Sequence, residues 1–300
     1  MNFQIWGLTG SLTTQNESQM PFAEERLWHW INEIDASCNR FRSDSEISRL
    51  NRHQGQTVAI SEALELALDA ALRAGAATDG LCDPTVLPAL LALGYDRDYD
   101  ELARQVDVVA KAPVPAPGLG AITLDRTRHT VTLARDCQLD LGASAKALVV
   151  DLVAEDVAPY GGVVVELGGD IAVRGHGPHG PWVIGVGDSL TITGREPRIS
   201  FSNGGIATSS ATTRTWRVGS RTANHIIDPR TGTFAQSTYA TATVTASSCV
   251  IANAFATAAL LWGEDAGYYI SQAGWSGRLV RHDGSVEFVG GWPRAEETPS

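Results

Sequence analysis

The chain has 300 residues, of which 43% are apolar and 19% are charged, which is a composition typical of a globular protein with a buried core. Its formal net charge of −11 argues against nucleic acid and acidic membranes as partners, because an acidic surface repels both. The longest apolar stretches, such as residues 254–262, are too short to span a bilayer, so we expect no membrane insertion.

The first 120 residues are predicted to hold one strand followed by helices. Residues 1–7 have neither the basic start nor the apolar stretch of a signal peptide, so we expect a cytoplasmic protein. In chain order the predicted segments are a strand at 3–12, helices at 21–36, 43–50 and 61–77, and a short apolar segment at 84–93. Residues 111–120 carry three prolines and two glycines, which predicts a loop and the best candidate for a lobe boundary.

The remainder of the chain is predicted to be richer in strands. A hairpin is expected at 121–133, and helices are expected at 143–157, 249–262 and 265–273. Seven strands are predicted between these helices, at 162–167, 171–174, 182–186, 191–193, 199–207, 215–218 and 241–246. Two short strands follow the last helix, and residues 293–300 look frayed. Helices and antiparallel strands in mixed blocks favour an α+β fold in a single domain over residues 1–300.

Two glycine-containing strings interrupt the apolar pattern. Gly168-Gly169-Asp170 lies between two predicted strands, where glycines allow a ligand to approach the backbone closely, although a simple hairpin turn explains them as well. Residues 140–146 run from a strand into a helix and end in Lys146. The first N–H groups of that helix and the lysine suit a phosphate, and a capped helix with a solvated lysine is the alternative.

Hydroxyl, imidazole and amide side chains form three further candidates. Thr208 and Ser209 can donate to a phosphate or cap a turn, and His225 can exchange a proton at neutral pH or stay buried in a turn. Asn253 and Thr257 lie four residues apart on a predicted helix and therefore share one face. Two oxygen ligands suit Mg²⁺, but two small polar residues facing the core are equally consistent with the pattern.

In order and spacing, these strings together resemble the ApbE-like FAD:protein FMN transferase family. The resemblance rests on eight segments, at residues 39–51, 78–85, 140–146, 168–170, 181–186, 206–209, 225–232 and 252–258. They read NRFRSDSEISRLN, TDGLCDPT, DLGASAK, GGD, PWVIGV, IATS, HIIDPRTG and ANAFATA. Eight ordered matches cover most of the chain, which makes chance agreement a poor explanation.

The resemblance implies a T-fold-like α+β domain that binds one FAD together with Mg²⁺. Such a protein transfers FMN from FAD to a Thr or Ser hydroxyl of an acceptor protein and releases AMP. The implied FAD-binding residues are Asp83, Pro84, Thr85, Lys146, Gly168, Gly169, Asp170, Thr208, Ser209 and His225. The implied metal ligands are the main-chain carbonyl of Ala143 and the side chains of Asn253 and Thr257. We expect His225, as proton acceptor or positioning group, and Lys146, as a source of positive charge, to be catalytic.

Two departures from the family pattern leave alternatives open. Asn253 stands where the family string has an aspartate, and a neutral oxygen attracts a dication less than a carboxylate does. Ser210 stands where the family string has a glycine. The alternatives are a non-catalytic FAD-binding protein and an FAD pyrophosphatase that yields FMN and AMP. An α+β interaction module without a ligand is a third class.

Overall fold

The computed structural model describes residues 1–104, 108–109, 111–187 and 196–292, which form two compact units. Unit 1 consists of Met1–Trp30, Lys146–Ser209 and Thr238–Ser300, and unit 2 consists of Ile31–Ala145 and Ser210–Ser237. The predicted loop at residues 111–120 belongs to unit 2. The strand predicted at residues 191–193 and the frayed tail predicted at 293–300 lie outside the described residues.

Helices and antiparallel strands alternate along the described chain, which confirms the predicted α+β class. The α-helices are α1 (Met20–Cys38), α2 (Glu46–Arg52), α3 (Glu62–Ala77), α4 (Leu87–Ala92), α5 (Tyr99–Leu102), α6 (Ala145–Val157), α7 (Cys249–Trp262) and α8 (Ala266–Gln272). The first nine strands are β1 (Asn2–Ile5), β2 (Leu8–Thr14), β3 (Thr57–Ala59), β4 (Ile122–Asp125), β5 (Thr130–Leu133), β6 (Val163–Leu167), β7 (Asp170–Arg174), β8 (Trp182–Gly185) and β9 (Arg198–Phe201). The others are β10 (Gly204–Ser210), β11 (Thr215–Val218), β12 (Arg221–Asn224), β13 (Ile227–Asp228), β14 (Thr233–Phe234), β15 (Tyr239–Ala246), β16 (Ser276–Arg281) and β17 (Val286–Val289).

Unit 1 is built on one eight-stranded sheet with the strand order β1-β2-β6-β7-β10-β15-β16-β17. Valine and threonine are frequent in its strands, as is typical of residues that pack well on a pleated surface. Helix α7 packs against β15 and β7, and α8 packs against β16 and β17. The sheet therefore brings the start of β7, the end of β10 and one face of α7 into the same unit.

The N-terminal strand prediction was wrong in one respect, because residues 3–12 form a hairpin and not a single strand. Trp6 and Gly7 have φ angles of 52° and 70°, and this left-handed pair turns the chain between β1 and β2. The predicted strand at residues 199–207 is likewise two strands. β9 pairs with β8 in a separate two-stranded sheet, whereas β10 pairs with β7 in the main sheet.

The first turn of α7 is fixed by two acceptors. Ser248 is the N-cap, and its hydroxyl accepts a hydrogen bond from the backbone N–H of Ile251 at 3.3 Å. The carboxylate of Asp151 on α6 accepts from the N–H groups of Cys249 and Val250 at 2.9 and 3.0 Å. Three N–H groups that a helix start leaves without intrahelical partners are thus satisfied, which sets the position of α7 against α6.

Unit 2 combines helices with small sheets around its own apolar core. Leu90, Leu102 and Trp216 belong to this core, and the indole N–H of Trp216 donates to the carbonyl of Leu93 at 2.9 Å. β3, β5 and β4 form one sheet, and β11–β12 and β13–β14 form two hairpins. The sequence did not indicate α5, β3 or β12, which are short. Among the described residues, none of the helices in either unit combines the length and apolar character needed to cross a membrane.

Candidate functional site

The clearest polar feature of unit 1 is an ion pair between Lys146 and Asp170. Lys146 lies in the first turn of α6, and Asp170 is the first residue of β7. The Lys146 ammonium (Nζ) lies 2.9 Å from Asp170 Oδ2. The lysine side chain is 21% exposed and that of Asp170 is 3% exposed. A ligand can therefore reach the ammonium group of Lys146, while the buried carboxylate of Asp170 holds that group in place.

Asn253 on α7 makes the second contact with the same carboxylate. Its side-chain amide (Nδ2) donates to Asp170 Oδ1 at 2.7 Å, and its carbonyl oxygen (Oδ1) accepts from the Thr257 hydroxyl at 3.5 Å. A carboxylate can only accept hydrogen bonds, so chemistry dictates that the amide nitrogen faces Asp170. The carbonyl oxygen of Asn253 is consequently directed along α7 towards Thr257.

Hydroxyl groups extend this network to β10. The Ser209 hydroxyl lies 3.1 Å from that of Thr257, and all three of Ser209, Asn253 and Thr257 are buried. Lys146, Asp170, Asn253, Thr257 and Ser209 thus form one hydrogen-bonded chain, which we call the polar cluster. Thr208, the neighbour of Ser209, bonds instead to the hydroxyl of Thr243 on β15 at 2.9 Å.

The turn that precedes Asp170 leaves one side of the backbone open. Gly168 and Gly169 have φ angles of 62° and 92°, so both need the conformational freedom of glycine. A side chain at Gly168 would collide with Leu8, whereas one at Gly169 would meet nothing within 4 Å. The N–H of Gly169 donates to Glu166 at 3.0 Å, and burial raises the pKa of that carboxyl group. The open side of Gly169 is where a ligand can approach the backbone.

The oxygen atoms of the polar cluster fit a hard cation in their chemistry. Asn253 Oδ1 and Thr257 Oγ1 are neutral donors of the kind that Mg²⁺ accepts alongside waters and phosphate oxygens. The negative charge bonded to Asn253 is that of Asp170. Within the described residues no three His, Cys, Asp or Glu side chains form a metal-binding group. The donors available in the polar cluster are therefore amide and hydroxyl oxygens.

Asp83, Pro84 and Thr85 belong to unit 2, where they form the start of a short 3₁₀ helix. Asp83 Oδ1 accepts from both the N–H and the hydroxyl of Thr85, at 2.8 and 2.7 Å. The Thr85 hydroxyl accepts from the N–H of Gly118 at 3.1 Å. Burial raises the pKa of Asp83, and the hydrogen bonds from Thr85 oppose that rise. These hydrogen bonds define the local geometry of the segment, and its predicted place beside the nucleotide stays a prediction.

Ala143 also belongs to unit 2 and lies in an exposed turn before α6, which begins two residues later than predicted. Asp140 shapes this turn, because its Oδ1 accepts from the N–H of Gly142 at 2.7 Å. The other carboxylate oxygen of Asp140 pairs with the buried guanidinium of Arg40 at 2.5 Å. The predicted role of the Ala143 carbonyl as a metal ligand is untested by these contacts.

His225 follows β12 in unit 2 and is half-buried. Its neighbours define a tight structure, in which the Asn224 side chain accepts from the N–H of Ile226 at 3.0 Å. Arg230 makes a two-pronged ion pair with Asp228, with both contacts at 2.9 Å. That pairing stabilises the turn and competes with any anion for the guanidinium group.

The structure therefore brings some of the predicted residues into contact within unit 1, whereas others belong to unit 2. Lys146, Asp170, Asn253, Thr257 and Ser209 contact one another in turn, with Gly168 and Gly169 in the adjoining turn. The predicted residues that belong to unit 2 are Asp83, Pro84, Thr85, Ala143 and His225. Sequence reasoning did not indicate Asp151, which holds the start of α7 from α6, or Thr243, which bonds to Thr208 from β15. The available signal for Asp151 was a lone carboxylate within an apolar run of α6.

The chain is similar over most of its length to proteins of one known family. A sequence model described as the ApbE family matches residues 6–276. A Vibrio cholerae protein named FAD:protein FMN transferase is 28% identical over 275 residues, covering 89% of this chain and 78% of that protein. A Chlamydia trachomatis protein of the same name is 31% identical over 245 residues, covering 79% of this chain and 74% of that protein.

Solved structures show the same fold at lower sequence identity. The ApbE protein of Thermotoga maritima superposes with a TM-score of 0.80 at 22% identity and covers 96% of both chains. The apo form of the Pseudomonas stutzeri flavinyl transferase ApbE superposes with a TM-score of 0.78 at 21% identity. That alignment covers 96% of this chain and 92% of the Pseudomonas chain. The α+β arrangement inferred from sequence is thus the arrangement found in these crystal structures.

Proposed function

Because this chain belongs to the ApbE family, we propose that it is an FAD:protein FMN transferase. Its substrates are FAD and an acceptor protein with a Thr or Ser hydroxyl, and its products are flavinylated protein and AMP. The two curated relatives described above carry the name of this activity and align over most of their length. The assignment of FAD, Mg²⁺ and the hydroxyl acceptor to this chain is our proposal.

The polar cluster is the observation that carries this proposal. FAD has a pyrophosphate with two negative charges, which must be neutralised before a nucleophile can attack phosphorus. Lys146 offers a partly exposed ammonium held at 2.9 Å from Asp170, next to a turn with an open backbone at Gly169. An anchored positive charge beside open backbone is what binding of a polyphosphate requires.

Asn253 and Thr257 would hold the magnesium ion of this reaction through their side-chain oxygens. When bound, the ion would supply positive charge to the phosphate oxygens and orient the leaving group. The chain itself fixes both donors in advance, because Asp170 anchors the amide and Ser209 anchors the hydroxyl. Preorganised donors need not reorganise during the reaction, which is an advantage for catalysis.

The covalent chemistry is one substitution at the phosphorus atom of the FMN half. The oxygen of the acceptor hydroxyl forms a bond to that phosphorus, and the bridging P–O bond to the AMP half breaks. The electron pair of the broken bond leaves with AMP, and the hydroxyl proton passes to a base. We propose His225 as this base, since a histidine accepts protons near neutral pH and this one is half-buried.

The test is an incubation of the purified protein with FAD, Mg²⁺ and a flavin-acceptor domain. We expect a covalent flavin adduct on the acceptor, seen by mass spectrometry and in-gel fluorescence, and an equal amount of AMP. An acceptor whose target hydroxyl has been removed provides the control, and it should remain unlabelled. The absence of both adduct and AMP would overturn the proposal.

The neutral side chain of Asn253 favours a second candidate function, which is hydrolysis of FAD. If water replaces the acceptor hydroxyl as the nucleophile, the same site hydrolyses FAD to FMN and AMP. AMP release without adduct in the same assay would identify this pyrophosphatase. Tight FAD binding with neither product would identify a non-catalytic flavin-binding protein.

A further inference from the structure

Asp170 and Asn253 form a buried carboxylate–amide pair that occupies the centre of the polar cluster. Asp170 is 2% exposed and Asn253 is 6% exposed, and Asn253 Nδ2 lies 2.7 Å from Asp170 Oδ1. At this distance a second carboxylate in place of the amide would face the first without a proton between them. Without a cation between them, two ionised carboxylates in a buried environment repel each other strongly.

We propose that Asp170 and Asn253 are an exchangeable pair, in which Asp170 on β7 supplies the negative charge that position 253 on α7 does not carry. The pair needs one carboxylate and one amide, and either position can hold either group. In the observed arrangement the carboxylate binds Lys146 through its second oxygen, and the amide directs its carbonyl oxygen to Thr257. Asp170 is thus a positioning residue for both Lys146 and Asn253.

The charged groups around the pair support this assignment. Lys146 Nζ lies 2.9 Å from Asp170 Oδ2, so the cluster is neutral as it stands, with one ammonium, one carboxylate and neutral amide and hydroxyl groups. Asn253→Asp alone adds a buried negative charge, and Asp170→Asn alone leaves Lys146 without its carboxylate. Exchanging both residues keeps the total charge. The amide introduced at position 170 can then accept from Lys146 and donate to the carboxylate introduced at position 253.

The inference rests on the proposed function only for its cation, so its first test needs neither metal nor FAD. The thermal midpoint of the protein is measured in a chelating buffer for Asn253→Asp, Asp170→Asn and the double exchange. We expect each single variant to lose on the order of 5 °C and the double variant to recover most of that loss. Asp265→Asn, an exposed carboxylate on the same unit, is the matched control and should change little.

The result that overturns the proposal is additivity, in which the double variant is destabilised by the sum of the two single losses. Additivity would show that the two positions act independently and are not one pair. Should a single variant fail to fold, recovery of folded protein in the double variant supports the pair. Failure of the double variant as well would count against it.

A second measurement tests the charge that Asp170 contributes. Mg²⁺ is titrated calorimetrically into FAD-free protein, so catalysis is not the readout. We expect Asn253→Asp to bind Mg²⁺ at least about tenfold more tightly than the natural protein, since a carboxylate then replaces a neutral oxygen donor beside Asp170. We expect Asp170→Asn to bind about tenfold more weakly. Unchanged affinity in Asp170→Asn would refute the charge assignment.

These measurements separate the inference from the proposed function. Thermal recovery in the double exchange, with no Mg²⁺ binding in any variant, would leave the pair intact and remove the cation from the function. Flavin transfer by the natural protein, together with additive thermal losses, would support the proposed function and overturn the Asp170–Asn253 pair. Each result thus bears on one of the two claims.

Discussion

Lys146 is the residue on which the proposed chemistry depends most directly. It is one of two lysines in the chain, and the other, Lys111, lies exposed in unit 2. We expect Lys146→Gln to lower the rate of AMP release from FAD by about a hundredfold, the effect typical of removing one charge-stabilising group. The measurement is a single-turnover assay with saturating FAD.

Lys111→Gln is the matched control for this substitution. It removes the same group at an exposed position whose backbone N–H donates to the carbonyl of Ala92. We expect its rate to stay within about twofold of the natural protein, as for a surface side chain away from the reaction. Equal rates for Lys146→Gln and Lys111→Gln would contradict a role for Lys146 in catalysis.

The cysteines give a prediction that is independent of function. All four are free and buried. Burial raises the pKa of Cys38 and Cys82 to about 12 and that of Cys137 to about 11, and burial likewise raises the pKa of Cys249 well above its usual value. Because the thiolate is the reactive form, we expect a thiol reagent at about pH 8 to label none of them in the folded protein. Denaturant should expose all four, and rapid labelling of the native protein would contradict this burial.

At the residue scale the sequence indicated candidate polar side chains but not how they are paired. Asn253 and Thr257 were placed on one helix face by their spacing, and the structure has them there. The contact between Asn253 and Asp170 joins residues 83 positions apart, so no local pattern could reveal it. The ion pair of Arg230 with Asp228, by contrast, joins residues only two positions apart.

Helix α7 is the element that presents Asn253 and Thr257, so its N-terminus links stability to function. Ser248 caps α7 through the N–H of Ile251, and Ser61 caps α3 in the same way through the N–H of Leu64. Each Ser→Ala substitution should lower the free energy of unfolding by about 1 kcal/mol. Chemical denaturation measures this loss for both variants.

The two caps differ in their expected effect on activity, which makes Ser61→Ala the control. We expect Ser248→Ala to weaken FAD turnover severalfold, since a loosened first turn shifts the groups on α7 by a fraction of an ångström. Ser61→Ala should retain natural turnover at a temperature where both variants are folded. Natural turnover in Ser248→Ala would contradict this role of α7, and an equal loss in Ser61→Ala would show that the effect follows from stability alone.

Long elements with strong periodicity were predictable, and short ones were not. α1, α3 and α7 were located to within a few residues from their apolar spacing and caps. The hairpin of β1 and β2 was missed because its turn uses Trp6 at a left-handed φ, which sequence signals assign to glycine or asparagine. The two-residue strands β13 and β14 are too short to show any alternation.

For the whole molecule, ligand binding should appear as increased thermal stability. Any ligand that binds only the folded state stabilises it by an amount that grows with the logarithm of its concentration. We expect FAD with Mg²⁺ to raise the unfolding midpoint by several degrees at about a hundred times the dissociation constant. EDTA should reverse most of that rise, because the cation and FAD share a site in this account. A rise that is insensitive to EDTA would remove the metal from the binding step.

The α+β class and the family were both accessible from sequence, whereas the division of the chain was not. Unit 1 draws on three separate stretches, Met1–Trp30, Lys146–Ser209 and Thr238–Ser300. Sheet order such as β2-β6 or β15-β16 depends on contacts between distant segments, which composition and periodicity do not encode. The family could be identified because each of its motifs is a short run of residues that can be read directly in the sequence.

The most direct test of the account is a crystal structure of the protein soaked with FAD and Mn²⁺, a cation that accepts the same oxygen donors as Mg²⁺ and gives an anomalous signal. We predict an anomalous peak at the oxygen atoms of Asn253 and Thr257, with the pyrophosphate of FAD bound to Lys146 Nζ. A pyrophosphate and metal ion bound away from these three side chains would contradict the central claim.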